Sequence, residues 1–197
     1  MTPAPLVGAL VLAAGAARRM GAAKLALPLG EATVLETTLA QVARAGLPAL
    51  VVLGAHAGRL RPLLKDVPAV EAADHHRGLA HSLKAGLQAA PADWQGVLVV
   101  LGDMPFVRPE TYARLTRRLA AGAEAVRPAF GGVPGNPVGL ARSLFPRLMA
   151  LEGDRGAAAL LPGLAVEEVA VDDPGVLRDI DTPADLAAAA AMPAPAR

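Results

Sequence analysis

The chain has 197 residues, no cysteine and a formal net charge of +1 at pH 7. That length suits one domain with its own core, the missing cysteines exclude disulfide scaffolds and thiolate metal sites, and the balanced charge gives no general pull toward nucleic acid or membranes. Its apolar runs are strand-length, far short of the roughly 20 residues of a membrane span, and the opening MTPAP lacks the basic segment of a signal peptide, so a soluble cytoplasmic protein is expected.

Leu6 to Leu12 is a continuous apolar run, the pattern of a strand buried on both faces of a parallel sheet. It breaks into Ala13, Ala14, Gly15, Ala16 and Ala17, and then Arg18, Arg19, Gly21 and Lys24 follow. Small side chains let backbone amides approach an anion, Gly15 and Gly21 can supply positive φ, and Arg19 and Lys24 complete a concave phosphate site. The only lysines are Lys24, Lys65 and Lys84 in a chain that otherwise uses arginine, which suggests that a compact, mobile point charge is needed at the loop. The spacing is not that of a Walker A loop, because five residues separate Gly15 from Gly21 and Leu25 follows Lys24. No G-x-G-x-x-G string is present either.

Pro28 and Gly30 mark a turn, and Thr33 with Glu36 forms a capping box that opens a helix through Ala45, stopped by Gly46 with Pro48 beyond. Leu50 to Leu53 reads as a strand, Ala57 to Lys65 as a basic helix shortened by Pro62, and Val70 to Ala73 as a third strand. This alternation predicts a parallel sheet with helices on both faces. A helix from about Leu79 is approached by Arg77 and Gly78 and carries His81 and Ser82; His75, His76 and His81 have only Asp74 as a nearby carboxylate and read as a solvated loop. Val97 to Leu101 is the strongest strand and ends in Gly102, Asp103, Met104 and Pro105. Open α/β sheets keep their ligand chemistry just past the carboxyl ends of such strands, which makes Asp103 the first candidate for a Mg²⁺ ligand.

Arg108 to Ala121 predicts an amphipathic helix opened by Pro109 and Glu110, and Glu124 to Pro128 a strand followed by a loop with a hairpin-like return. A helix stopped at Gly153 and a second one capped by Asp154 come next, then a strand from Val166 to Val171. Thr182, Pro183 and Asp185 cap a closing helix, and that arrangement alone explains those residues. The expected organisation is a single domain over residues 1–192 with a disordered tail over 193–197. Its expected fold is α/β and Rossmann-like, with a mostly parallel sheet and helices on both faces.

Leu12, Ala13, Gly15, Arg19, Met20, Gly21 and Lys24 fill the string L-A-x-G-x-x-x-R-M-G-x-x-K. This resembles the signature of the molybdenum cofactor nucleotidyltransferases, within the MobA-like NTP transferase superfamily. Gly78, Ser82, Leu83, Gly86 and Leu87 resemble the G-x-x-x-S-L-x-x-G-L segment of the cytidylyltransferase (MocA-like) branch, and Ala14 agrees, standing where the guanylyl branch carries a second glycine. Met104 points the other way, since the cytidylyl branch has Gln there.

The resemblance implies a nucleotide-diphospho-sugar transferase-like fold and transfer of CMP from CTP to the phosphate of a molybdopterin-type acceptor, with Mg²⁺ and release of pyrophosphate. GTP is the alternative nucleotide. Lys24, Arg19 and Asp103 are then catalytic, while Leu12, Ala13, Ala14, Gly15, Arg19, Gly21, Lys24, Gly78 and Ser82 bind nucleotide. Asn136, Asp154 and Arg155 face the acceptor, with Arg155 standing in for the arginine that Ala158 replaces, and Asp103 and Asp181 hold the metal. A xanthine dehydrogenase-type molybdenum enzyme is the implied recipient. Two further readings are an NAD(P)-dependent oxidoreductase on a related scaffold, against which stands the missing G-x-G-x-x-G, and a non-catalytic cofactor carrier, which would keep the Asn136 loop without needing both acidic residues.

Overall fold

The computed structural model describes residues 6–15 and 23–190. In chain order the elements are β1 (Leu6–Ala13), β2 (Pro28–Leu29), β3 (Ala32–Thr33), α1 (Val34–Arg44), β4 (Ala49–Leu53), α2 (Ala57–Leu60), β5 (Ala69–Glu71) and α3 (Leu79–Ala89). There follow β6 (Trp94–Leu101), α4 (Pro109–Ala120), β7 (Ala125–Phe130), β8 (Val133–Pro134), β9 (Val138–Ala141), α5 (Phe145–Met149), β10 (Val166–Ala170) and α6 (Pro183–Ala190). The main sheet has the order β10-β7-β9-β6-β1-β4-β5, with β8 paired to β7. β1, β4, β5 and β6 are mutually parallel, as are β7 and β10, and β9 runs antiparallel to both β6 and β7.

Strand periodicity divides the core into two layers. Val7, Ala9, Val11 and Ala13 of β1 pack with α1 and α4 on one face, while Leu10 and Leu12 pack with α3 and α5 on the other. Both faces of β1 are therefore covered, which is why its sequence is a continuous apolar run rather than an alternating one. The chain lays β1, β4 and β5 in one direction and then returns to the far side of β1 with β6. A switch point thus opens between the carboxyl ends of β1 and β6, the place where open α/β sheets hold ligands.

The predicted single-domain α/β fold is the one found, with local corrections. The basic helix from Ala57 is α-helical only to Leu60 and continues as a 3₁₀ turn over Arg61–Leu64, because Pro62 cannot donate to the α ladder. The hairpin-like return resolves into β8 against β7, and then β9 enters between β6 and β7 as a strand of its own. Gly139 permits that insertion: a Cβ there would lie 2.5 Å from Val126 and 2.8 Å from Leu98. Asp154 caps no helix, since the segment forms a 3₁₀ turn over Ala157–Leu160 entered from Gly156. Gly156 lies against Leu79, 2.7 Å from where its Cβ would be, so packing on α3 dictates the path there. Among the described residues no helix is long and apolar enough to cross a membrane.

The capping box at α1 forms as its sequence predicts. Glu36 accepts from the Thr33 amide at 2.9 Å and hydroxyl at 2.8 Å, and the Thr33 hydroxyl accepts from the Glu36 amide at 3.3 Å. Replacing Thr33 by alanine is expected to cost about 1 kcal/mol, a fall of roughly 2–4 °C in Tm. The Thr33 donors hold the Glu36 carboxyl below its usual range. A carboxyl lowered by folding contributes fully above its unfolded pKa and loses that contribution as pH falls through the folded value. Thermal denaturation should therefore show the penalty at neutral pH and a smaller one in acid.

Candidate active site

At the switch point, the 3₁₀ turn Lys24–Ala26 comes after the β1 loop, with Leu25 buried beneath it. The Lys24 side chain runs across the crevice, and its Nζ donates to Asp103 Oδ2 at 2.6 Å and to Asp181 Oδ1 at 2.5 Å. Three residues separated by 79 and 157 positions in sequence thereby meet at one point. Lys24 and Asp103 are largely enclosed, with side chains 15% and 19% exposed, and Asp181 is the outermost at 36%. Burial alone would lower the Lys24 ammonium, but Asp103 and Asp181 outweigh it and its pKa rises. For Asp103, burial raises the carboxyl above its usual range, with Lys24 opposing and the Asp179 carboxylate adding to the rise.

Each acidic residue is fixed through its backbone. The Gly102 amide donates to the Leu12 carbonyl at 3.0 Å, and the Gly102 carbonyl accepts from the buried Thr38 hydroxyl at 2.9 Å. The Asp103 carbonyl accepts from the Ile180 amide at 2.9 Å, which places Asp181 beside it. The predicted cap after Asp181 is present, since Asp185 accepts from the Thr182 amide at 2.7 Å and hydroxyl at 2.8 Å.

Asp103 Oδ1 is buried and has no hydrogen-bond partner among the described residues. A free carboxylate oxygen beside a second carboxylate suits a hard divalent cation, which in phosphate-handling sites takes one or two carboxylates and completes its shell with phosphate and water.

The other expected site residues divide. Arg19 and Gly21 lie outside the described residues. Leu12, Ala13 and Ala14 are buried at 7%, 1% and 5%, so their side chains serve the core rather than facing a ligand. The Ala14 carbonyl rests on Gly54, 2.7 Å from where a Cβ would be. Gly15 does not use positive φ, and among the described residues nothing lies within 4 Å of a Cβ position on it. Ser82 is 2% exposed and lies with Leu83 and Gly86 among the buried residues of α3. Gly86 is a packing glycine, its Cβ position 2.6 Å from Leu10 and Val52.

Gly78 takes φ 118° and ψ 172°, and the backbone of Gly153 lies 2.4 Å from where a Cβ on Gly78 would be. The Ala80 amide donates to the Gly153 carbonyl at 3.0 Å. Exposed Asp154 and Arg155 are thereby seated at the start of α3, while half-buried Asn136, whose peptide bond to Pro137 is cis, is tied elsewhere, its amide donating to the Val176 carbonyl at 2.9 Å. Met104 is 3% exposed in the core layer with α1 and α4, so its side chain faces away from the crevice. Sequence reasoning missed Asp173, a buried carboxylate whose Asp-Asp-Pro context looks like an ordinary turn.

Comparison with known proteins places the chain in a family. Residues 9–169 match the MobA-like NTP transferase domain. The purine catabolism protein PucB of Bacillus subtilis is 33% identical over 196 residues, covering 91% of this chain and 93% of PucB. The molybdenum cofactor cytidylyltransferase of Escherichia coli is 25% identical over 183 residues, with the same 91% and 93% coverage. Among solved structures, Rv0371c of Mycobacterium tuberculosis superposes with a TM-score of 0.84 at 33% identity, covering 96% of this chain and 98% of that one. Its complex with manganese gives a TM-score of 0.81 at 30% identity, covering 93% and 97%. With its acidic residues at the switch point and a match running from β1 into β10, the chain belongs to the MobA-like NTP transferase family and is a nucleotidyltransferase.

Proposed function

We propose that the chain transfers CMP from CTP to the phosphate of a molybdopterin-type acceptor and releases pyrophosphate. The observation that carries this reading is the convergence of Lys24, Asp103 and Asp181 at the switch point. The acceptor phosphate attacks the α-phosphorus of CTP, the new P–O bond forms as the bond to the β-phosphate oxygen breaks, and pyrophosphate leaves. A phosphate monoester has a second pKa of about 6, so the nucleophile is largely ionised at neutral pH and no general base is needed. Catalysis then rests on positioning and on neutralising charge. Lys24 moves its ammonium to the α-phosphate, and the loop around Gly15 with Arg19 holds the β- and γ-phosphates. Asp103 and Asp181 would hold Mg²⁺, which when bound would supply positive charge to the phosphate oxygens. Asn136, Asp154 and Arg155 line the acceptor side.

Two features favour CTP over GTP in this reading: Ala14 is the cytidylyl-like residue, and Met104, the residue that favoured GTP, is enclosed in the core. The relatives fit the acceptor assignment, since one is named a molybdenum cofactor cytidylyltransferase and another a purine catabolism protein. A xanthine dehydrogenase-type enzyme, which acts on a purine, is the recipient that joins the two.

Thermal denaturation with CTP or GTP in MgCl₂ tests the base. A nucleotide at about 100 times its Kd adds roughly 2.7 kcal/mol, a rise of about 5–10 °C for a domain of this size. The expected rise is with CTP, and a rise with GTP alone overturns the cytidylyl assignment.

A further inference from the structure

Asp173 takes no part in the proposed reaction, yet it is a charged residue only 2% exposed. Its Oδ2 accepts from the Arg108 amide at 2.9 Å and the Thr111 hydroxyl at 2.6 Å, and its Oδ1 accepts from the Gly175 amide at 3.0 Å. Arg108 and Thr111 stand at the start of α4, where helix amides lack partners inside the helix. One carboxylate therefore ties the chain after β10 to the loop that leaves Asp103.

From Asp173 the chain runs as a strap over residues 173–181 along the carboxyl edge of the sheet. Gly175 presses on the Phe106 carbonyl, which stands 2.1 Å from where a Cβ would be. The Val176 carbonyl accepts from the Asn136 amide at 2.9 Å, and the Ile180 amide donates to the Asp103 carbonyl at 2.9 Å. Asp181 comes next and reaches Lys24. The only regular structure inside the strap is a 3₁₀ turn over Pro174–Leu177, so its path is set by these anchors.

We propose that Asp173 is a positioning residue for the transfer, fixing the strap that sets Asp181 against Asp103 and seats Asn136. The proposal rests on the assignment of Lys24, Asp103 and Asp181 to catalysis. A buried carboxylate is tolerated only when its oxygens are satisfied, and three donors from two segments, each directional, define one geometry.

Asp173→Asn preserves shape but turns an NH₂ group toward donors on one side, and the Arg108 amide cannot become an acceptor. In the folded variant, kcat is expected to fall on the order of tenfold and the acceptor KM to rise, because a misplaced reacting group costs rate steeply. The KM for CTP at saturating Mg²⁺ should stay near wild type. Hydrogen exchange across 134–137 and 174–181 should quicken about tenfold, as expected for losing hydrogen bonds to a charged group, with α3 unchanged. Thr111→Val removes one donor and should fall between, and Thr111→Ser should restore wild-type kinetics. Should Asp173→Asn fail to fold, Thr111→Val against Thr111→Ser decides the same question. A lower Tm with unchanged kcat, unchanged KM values and unchanged strap exchange overturns the proposal. A wild-type protein that transfers no nucleotide overturns the reading of function instead, and exchange across the strap still decides whether Asp173 fixes it.

Discussion

Replacing Lys24 by alanine is expected to lower turnover of CTP with a molybdopterin acceptor about 100-fold or more, and Asp103→Ala should do the same. Losing one preorganised charge contact in a water-poor site has effects of that order. Lys24 and Asp103 are both largely enclosed and lie 2.6 Å apart, so neither loss is made good by solvent. Lys24→Arg should rescue little: a guanidinium is a rigid fork on a longer stem, whereas this position calls for one point charge that can pass from carboxylates to phosphate. Arg61→Ala is the matched control. Its ion pair with Glu71 is more than half exposed on both sides, and exposed pairs contribute little. Turnover near wild type in both Lys24→Ala and Asp103→Ala would remove these residues from the mechanism.

The second large effect is on the frame of the site. Gly78→Ala is expected to destabilise the fold by about 2–6 kcal/mol, because two costs add. Its φ of 118° with ψ 172° is a region essentially reserved for glycine, where a side chain costs roughly 1–3 kcal/mol. A Cβ would also stand 2.4 Å from the carbonyl of Gly153, and such overpacking against backbone costs about 1–3 kcal/mol more. Relief would require the Gly153–Gly156 segment to lift from the start of α3, breaking the bond from the Ala80 amide. Thermal denaturation should show a fall of about 4–24 °C. Gly58→Ala, in α2 with nothing within 4 Å of its Cβ position, should be neutral or slightly stabilising. A neutral Gly78→Ala would mean that this loop yields freely.

Much of the fold and site was legible because local signals agreed with the global fold. The buried runs of β1 and β6, the Thr33–Glu36 box and the carboxylate just past β6 each declare themselves within a few residues. The illegible parts depend on contacts distant in sequence. β9 is Val-Gly-Leu-Ala, too short to betray direction, and its place between β6 and β7 is decided by how closely Gly139 lets Val126 and Leu98 approach. Met104 comes directly after Asp103 in sequence but turns into the opposite environment, a reversal that only the turn after Leu101 imposes. Asp173 reads as a turn former until Arg108 and Thr111 are seen to surround it.

At Gly8 the place of a side chain is taken by the ring of Trp94, whose atoms lie 2.2–2.3 Å from the position a Cβ would take, and Trp94 is only 2% exposed. This is the sole tryptophan of the chain, and it starts β6 while Asp103 lies past that strand's other end. The protein thus carries a built-in fluorophore lodged in the sheet at the end remote from the chemistry. Its emission is expected to follow the integrity of the β1–β6 pair and to change little as substrates come and go, so folding and turnover could be watched in one sample through separate optical channels.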